Sequence, residues 1–240
     1  MNYTVCLTVY GKTRYLDEQL NSILNQSLIP SQIIIVEDYS GSSIKDYLNE
    51  FLYDKKIPYK IFSNTNNLGP AESFRQAMLY ADYDIIYFAD HDDIWHHDRV
   101  LKTIDYHNYY FLVICNAKVF YEYKKISHPL YRSTDFNNIN IFKLFFKNLI
   151  VGATTSVNIA NYRNLINSVK FEPMHDWILA IMSVILKKKI KLIDTELVSY
   201  RRHSKTLTGR SKDSILSKIN YRIKILKFIY KIKKLIRTNS

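Results

Sequence analysis

Tyr87-Phe88-Ala89-Asp90-His91-Asp92-Asp93-Ile94-Trp95 decides how the rest of the chain is read. The apolar run Ile85 to Ala89 delivers three carboxylates, Asp90, Asp92 and Asp93, within four residues. Such a cluster repels itself unless a cation or a set of donors neutralises it. One acid at this point would suit a helix N-terminus, where it opposes the macrodipole. Three at the end of an apolar strand point to a hard divalent ion shared with a phosphate substrate.

Upstream of the cluster, apolar runs alternate with helical spacings. Strands are expected at Val5–Val9, Ile33–Val36 and Tyr59–Ser63, with Ile85–Ala89 as the fourth. Between them helices are expected over Tyr15–Asn25, Ile44–Tyr53 and Pro70–Ala81. Ser40-Gly41-Ser42-Ser43 reads as a turn and helix cap, and Pro70 is placed for the first turn of its helix. Continuous apolar strands separated by helices predict an α/β fold with a mostly parallel sheet covered on both faces. Ligands of such sheets bind outside the carboxyl ends of the strands. Tyr10, Asp38, the Asn66–Gly69 turn and Asp90 all fall there. No G-x-G-x-x-G follows the first strand and no G-x-x-x-x-G-K-[ST] occurs, which argues against dinucleotide oxidoreductases and P-loop NTPases.

Downstream, a helix is expected around Val100, Leu101 and Ile104, then one or two strands over Phe111–Tyr123 in a sheet that becomes mixed. Residues 124–150 carry no clear pattern. Gly152-Ala153-Thr154-Thr155-Ser156 reads as a turn entering a strand, His175-Asp176-Trp177 opens a helix running to Leu186, and Lys191–Tyr200 is a last strand.

Four features occur in order: Glu37-Asp38-x-Ser40 after a strand, the Asn67-x-Gly69 turn, Asp90-x-Asp92-Asp93, and His175-Asp176-Trp177. In that order and spacing the chain resembles family 2 glycosyltransferases of the GT-A fold over about residues 3–209. The bacterial rhamnosyltransferase-like subgroup is the nearest, through His175-Asp176-Trp177 and Tyr200-Arg201-x-His203. The resemblance implies an inverting sugar transfer from a UDP- or dTDP-linked donor to a hydroxyl of a glycan or lipid-linked glycan. It places that reaction in surface polysaccharide, capsule or lipopolysaccharide synthesis.

It also implies roles for residues. Asp38 matches the acid that hydrogen-bonds the nucleotide base; Thr8, Tyr10, Asn67, Gly69 and His91 line the same nucleotide-sugar pocket. Asp90 and Asp92 match the D-x-D motif that holds Mg²⁺ or Mn²⁺ against the diphosphate. His203 stands near the point where some family members complete the metal shell with a His; alternatively the cation pair Arg201 and Arg202 grips the diphosphate. Asp176 matches the general base, with Gly152, Ala153, His175 and Trp177 on the acceptor side. Read from local sequence alone, Asp38 is equally a turn-initiating acid, Asp176 a helix N-cap, Asp93 a helix cap or ribose contact, and His203 part of a surface turn. Tyr10-Gly11, Glu37, Tyr39 and the surface pair His96-His97 depart from the family pattern. So does the lack of an Asn close behind His203. Two other readings use the same residues: a nucleotidyl transferase, which needs no base at Asp176, and an inactive scaffold, which has no need of Asp38, Asp92 and Asp176 together.

The net charge is +12, but residues 212–237 hold nine Lys or Arg and one Asp, leaving +4 for the remainder. A domain over residues 1–210 and a basic amphipathic helical tail over 211–240 are therefore expected. In the tail Ile225, Phe228, Ile229, Ile232, Leu235 and Ile236 share one arc and the cations the other. That arc suits either an anionic membrane surface or packing on the domain. Nucleic acid is disfavoured, because the charge is confined to one helix with its own apolar stripe. Val5–Val9 is too short for a signal-peptide core and Trp177–Leu186 too short to span a bilayer. Two isolated cysteines, Cys6 and Cys115, read as buried thiols in a reducing compartment. The expectation is a cytoplasmic protein, peripheral on the inner face of the cytoplasmic membrane.

Overall fold

The computed structural model describes residues 1–39, 41, 43–131, 139–203 and 215–238. The expected cap residues Ser40 and Ser42, the segment behind His203 and the expected boundary near residue 211 lie outside the described residues.

The first half alternates as its apolar pattern requires: β1 (Thr4–Val9), α1 (Leu16–Leu24), β2 (Gln32–Glu37), α2 (Lys45–Leu52), β3 (Tyr59–Ser63), α3 (Pro70–Tyr80) and β4 (Ile85–Asp90). Every residue of β1 and β2 is buried, because helices cover both sides of the sheet. Successive residues still point to opposite faces. Cys6 and Ile34 join the core beneath α3, whereas Val5, Leu7, Ile33 and Ile35 join the core beneath α1 and α2. In α1 the buried set is Leu16, Gln19, Leu20 and Ile23, one face of a 3.6-residue repeat. Gly69, at φ 80, turns the chain into α3, and Pro70 starts that helix with a preset φ.

The second half contains β5 (Ile94–Trp95), β6 (Leu112–Tyr121), β7 (Lys124–Pro129), α4 (Ile141–Phe146), β8 (Thr155–Asn158), α5 (Arg163–Asn167), α6 (His175–Ile185), β9 (Ile190–Arg202) and α7 (Ile215–Thr238). The nine-stranded sheet runs β3-β2-β1-β4-β8-β6-β9-β5, with β7 paired to β6. β3, β2, β1 and β4 are parallel; β8 lies antiparallel between β4 and β6, and β9 is parallel to β6. The sheet is thus mixed, as expected. Cys6 and Cys115 are buried free thiols in β1 and β6.

The structure corrects one expected element. After Asp98 the chain forms turns and a short 3-10 helix, Ile104–Asn108, instead of an α-helix. The Thr103 hydroxyl bonds the Arg99 carbonyl at 2.7 Å and meets Tyr87 Oη at 2.7 Å. This competes with regular helix hydrogen bonding. Residues 124–150, unreadable in sequence, contain β7 and α4. The tail helix packs on the domain: Ile225, Phe228 and Ile232 are buried in the same core as α6. Among the described residues no helix is long and apolar enough to cross a membrane.

Candidate active site

The acids gather at the carboxyl ends of the parallel strands. Glu37 and Asp38 follow β2, and both are buried. Glu37 accepts from Ile44 N at 2.7 Å and from the hydroxyls of Ser43 and Ser63, so it fixes the start of α2. Asp38 Oδ1 accepts from Leu68 N (2.8 Å), Asn64 Nδ2 (3.1 Å) and Tyr39 N, and Oδ2 from Gly69 N (2.8 Å). Its carboxylate therefore shapes the Asn67–Gly69 turn, where Asn67 Oδ1 also accepts from Gly69 N. One donor on Oδ2 leaves that oxygen with spare lone-pair capacity. Tyr10 and Tyr39 are half exposed beside it.

Asp90 ends β4, in register with Thr8 of β1. Desolvation, then the charges of Asp92 and Asp176, raise its pKa to about 7. Desolvation lowers the pKa of His91, against the charge of Asp92 and a hydrogen bond to the Thr8 backbone. Asp92 Oδ2 lies 2.9 Å from His203 Nε2. The last residues of β9 thus bring His203 from far along the chain to the acidic cluster, its ring tilted on Tyr15 at 5.0 Å.

Asp93 caps no helix: β5 follows it. It is fully buried and accepts from Arg201 N at 2.9 Å, tying the loop after β4 to β9. Burial and its two acidic neighbours hold its pKa well above the usual carboxylate range. Arg201 also differs from expectation. Its guanidinium donates to the Asp92 carbonyl (2.8 Å) and to Glu18, and stands over the rings of Tyr15 and Phe120. Those partners hold it as a strut between β9, α1 and the loop after β4.

Asp176 is the second residue of α6, whose N-cap is Met174; the N-cap reading of Asp176 is therefore corrected. It is 3% exposed, and its Oδ1 accepts from Trp177 N at 2.7 Å and Asn148 Nδ2 at 3.0 Å. Desolvation outweighs these donors and raises its pKa to about 6. It is close enough to Asp90 for its charge to act there. A carboxyl poised near neutrality and beside the acidic cluster has the properties of a general base.

Gly152, Ala153, His175 and Trp177, expected on the acceptor side, are buried. Trp177 Nε1 donates to Leu144 O at 2.6 Å and so fastens α4 to α6. Ala153 is packed in the core. His175 is enclosed by Phe74 and Phe88, with ring centroids at 4.1 and 4.9 Å; neither ring nitrogen has a partner among the described residues. Burial lowers its pKa to about 3, so it is neutral. Its ring closes over Gly152, where an added Cβ would lie 2.4 Å from Nε2. Gly152→Ala should consequently push the start of α6 outward. Overpacking of this kind costs about 1–3 kcal/mol, and transfer should fall at least tenfold as Asp176 moves. A lowered melting temperature together with lowered kcat checks this; an unchanged melt would show that His175 has room to shift.

Sequence reading missed Asn148, Arg99 and Tyr131. Asn148 follows α4, and nothing local marks it. Arg99 is wholly buried, its guanidinium over Trp95 at 3.9 Å. Tyr131 is pinned twice: its backbone bonds Asn116, and its hydroxyl meets Thr154 and Val151 N. Asn116 sits in a bulge of β6 that no periodicity announces.

Among the described residues no group of three or more His, Cys, Asp or Glu is placed to hold a metal ion. The Asp92–His203 pair offers one carboxylate and one ring nitrogen, and an ion such as Mg²⁺ or Mn²⁺ takes few protein ligands and fills its shell with phosphate and water.

Known proteins resemble this chain in sequence and in fold. The family model described as "Glycosyl transferase family 2" matches residues 4–167, and the chain belongs to that family. It is 30% identical over 103 residues to the dTDP-rhamnosyl transferase RfbG of Shigella flexneri, a match covering 41% of this chain and 36% of that protein. It is 28% identical over 98 residues to the putative teichuronic acid biosynthesis glycosyltransferase TuaG of Bacillus subtilis, covering 40% and 38%. The matches thus span well under half of these relatives. Among solved structures, TarS 1-349 of S. aureus in complex with UDP-GlcNAc superposes with a TM-score of 0.68 at 18% identity, covering 94% of this chain and 67% of that one. Mannosyltransferase PcManGT from Pyrobaculum calidifontis, in complex with GDP-Man and Mn²⁺, gives 0.61 at 15%, covering 98% and 64%. At such identities the likeness establishes the fold, which is GT-A.

Proposed function

We propose that this chain is an inverting glycosyltransferase that moves a sugar from a UDP- or dTDP-linked donor to a hydroxyl of a glycan or lipid-linked glycan. The acceptor belongs to surface polysaccharide, capsule or lipopolysaccharide synthesis. One observation carries the reading: a buried carboxylate with a raised pKa, Asp176, within electrostatic range of the Asp90, Asp92 and His203 cluster. A nucleotidyl transferase has no use for it, and a scaffold has no reason to keep a destabilising buried acid.

The donor's base enters over Asp38, between the exposed rings of Tyr10 and Tyr39, where the remaining lone pair of Asp38 Oδ2 accepts from an imide N–H. Thr8, Asn67, Gly69 and His91 border that pocket. Asp92 and His203, with Asp90, would hold Mg²⁺ or Mn²⁺, which supplies charge to a diphosphate leaving group. Asp176 orients the acceptor hydroxyl and takes its proton as that oxygen bonds to the anomeric carbon. The bond from that carbon to the diphosphate breaks on the opposite face, releasing the nucleoside diphosphate with its electron pair. Asn148 and Trp177 N fix the carboxylate for this task. The support comes from the family membership and from where these side chains meet. RfbG, described as a dTDP-rhamnosyl transferase, and TarS, solved with UDP-GlcNAc, make both pyrimidine donors reasonable.

A panel of nucleotide sugars with Mn²⁺, read by hydrolysis and thermal stabilisation, tests the donor class. Turnover of a UDP- or dTDP-sugar is the expected result. Response to GDP-sugars alone would overturn the pyrimidine assignment.

A further inference from the structure

We propose that the outward face of α7 is a docking surface for an anionic lipid bilayer. The arc singled out in the sequence is not that surface, since its Ile225, Phe228 and Ile232 are buried in the core. The opposite side of the helix carries a second apolar seam: Leu216, Ile219, Ile223, Leu226 and Tyr230. Their spacing alternates three and four, which keeps them in one line on a helix. All five are between 45% and 79% exposed. At 1.5 Å per residue the seam is about 21 Å long. On a 3.6-residue projection it is centred roughly opposite the buried arc. A helix that only packs on its domain keeps that side polar; this one is apolar on both. Arg222 Nη2 donates to Phe146 O at 2.8 Å, which brings the end of α4 against α7, and α4 also exposes Phe142 and Phe146.

Charge selects the occupant. The described helix holds eight Lys or Arg and no Asp or Glu. Lys227, Lys231 and Lys234 border one edge of the seam, and Arg222 and Lys233 the other. A second copy packed seam to seam would face these like charges against each other. A plane of anionic headgroups neutralises them while the Leu and Ile side chains enter the acyl boundary and Tyr230 stays at headgroup level. The helix is not a span, so docking is in the plane of the membrane.

The experiment is cosedimentation of the full chain with vesicles of phosphatidylcholine alone and of equal parts phosphatidylcholine and phosphatidylglycerol. Binding is expected only to the anionic vesicles, and it should weaken with salt. Lys227→Gln/Lys231→Gln/Lys234→Gln removes three cations worth about fivefold each, so partitioning should fall roughly a hundredfold. Ile219→Asn/Ile223→Asn/Leu226→Asn should abolish binding with an unchanged thermal melt, because these side chains are exposed. If that variant melts lower, the lysine variant decides. The proposal is overturned by no binding to anionic vesicles, by equal binding to both compositions, or by seam and lysine variants that sediment like the parent. A parent that ignores lipid but dimerises, with the seam variant monomeric, overturns it in favour of self-association. Binding is read without sugar transfer, so this test stands apart from that of the catalytic reading.

Discussion

Asp176→Asn should yield a folded, donor-binding protein that transfers sugar roughly a thousandfold more slowly, the usual scale for loss of a positioned base. The amide keeps the volume and can still accept from Asn148 and Trp177 N, but it cannot take the acceptor's proton. The same variant should melt higher. The folded pKa of Asp176 is raised from 3.8 to about 6, with desolvation as the leading cause. A carboxyl whose folded pKa lies above its unfolded value destabilises the fold when ionised. That penalty is complete above about pH 6 and vanishes below the unfolded pKa. Removing the charge should therefore stabilise the protein by about 2 kcal/mol at pH 8, several degrees in melting temperature, whereas at pH 4 variant and parent should melt close together. In the parent, kcat should decline as pH falls through about 6, because the base becomes protonated. Calorimetry and turnover across this pH range read both effects. Loss of donor binding in the variant would move Asp176 into the donor site. A lower melt at pH 8 would make its carboxylate a stabilising group.

Asp92→Ala should remove metal stimulation altogether, with turnover reduced a thousandfold or more, the scale of losing charge stabilisation at a leaving group. The reason lies in the pair: Asp92 is the acid that meets His203, at 2.9 Å. His203→Ala should cost less, about tenfold to a hundredfold, and raise the Mn²⁺ concentration needed for half activation. Titrating activity against Mn²⁺ separates the two. Activity of Asp92→Ala equal to that of the parent would take the metal role away from this position.

The parallel half of the fold was legible because β1, β2 and β4 are buried on both faces, so each is a continuous apolar run ended by a chemically conspicuous residue. β3 and α3 were bounded almost to the residue by their flanking turn chemistry. The second half was harder. Thr103 diverts an apparent helix by bonding back along the chain, and the bulge at Asn116 breaks the alternation of β6. Of the candidate site, Asp38, Asp90, Asp92 and Asp176 could be singled out in advance as candidates. The partners that give each its character could not. Asn148 is one Asn among many until the fold brings it to Asp176. Arg201 has the right charge for a diphosphate, yet Glu18, far away in sequence, claims it. His175 looked functional because it adjoins Asp176, but its ring fills a hole that Gly152 leaves.

The pins at Tyr131 and Asn148 have a consequence for protein engineering. Tyr131 is held to Asn116, Thr154 and Val151, and Asn148 to Asp176. Both ends of the stretch between them are therefore tied to the frame. Leu144, within it, is packed in the core and bonded by Trp177. Under the proposed mechanism, replacing the residues of α4 other than Leu144 changes the surroundings of the acceptor while Asp176 stays where it is, so acceptor range could be redesigned separately from turnover.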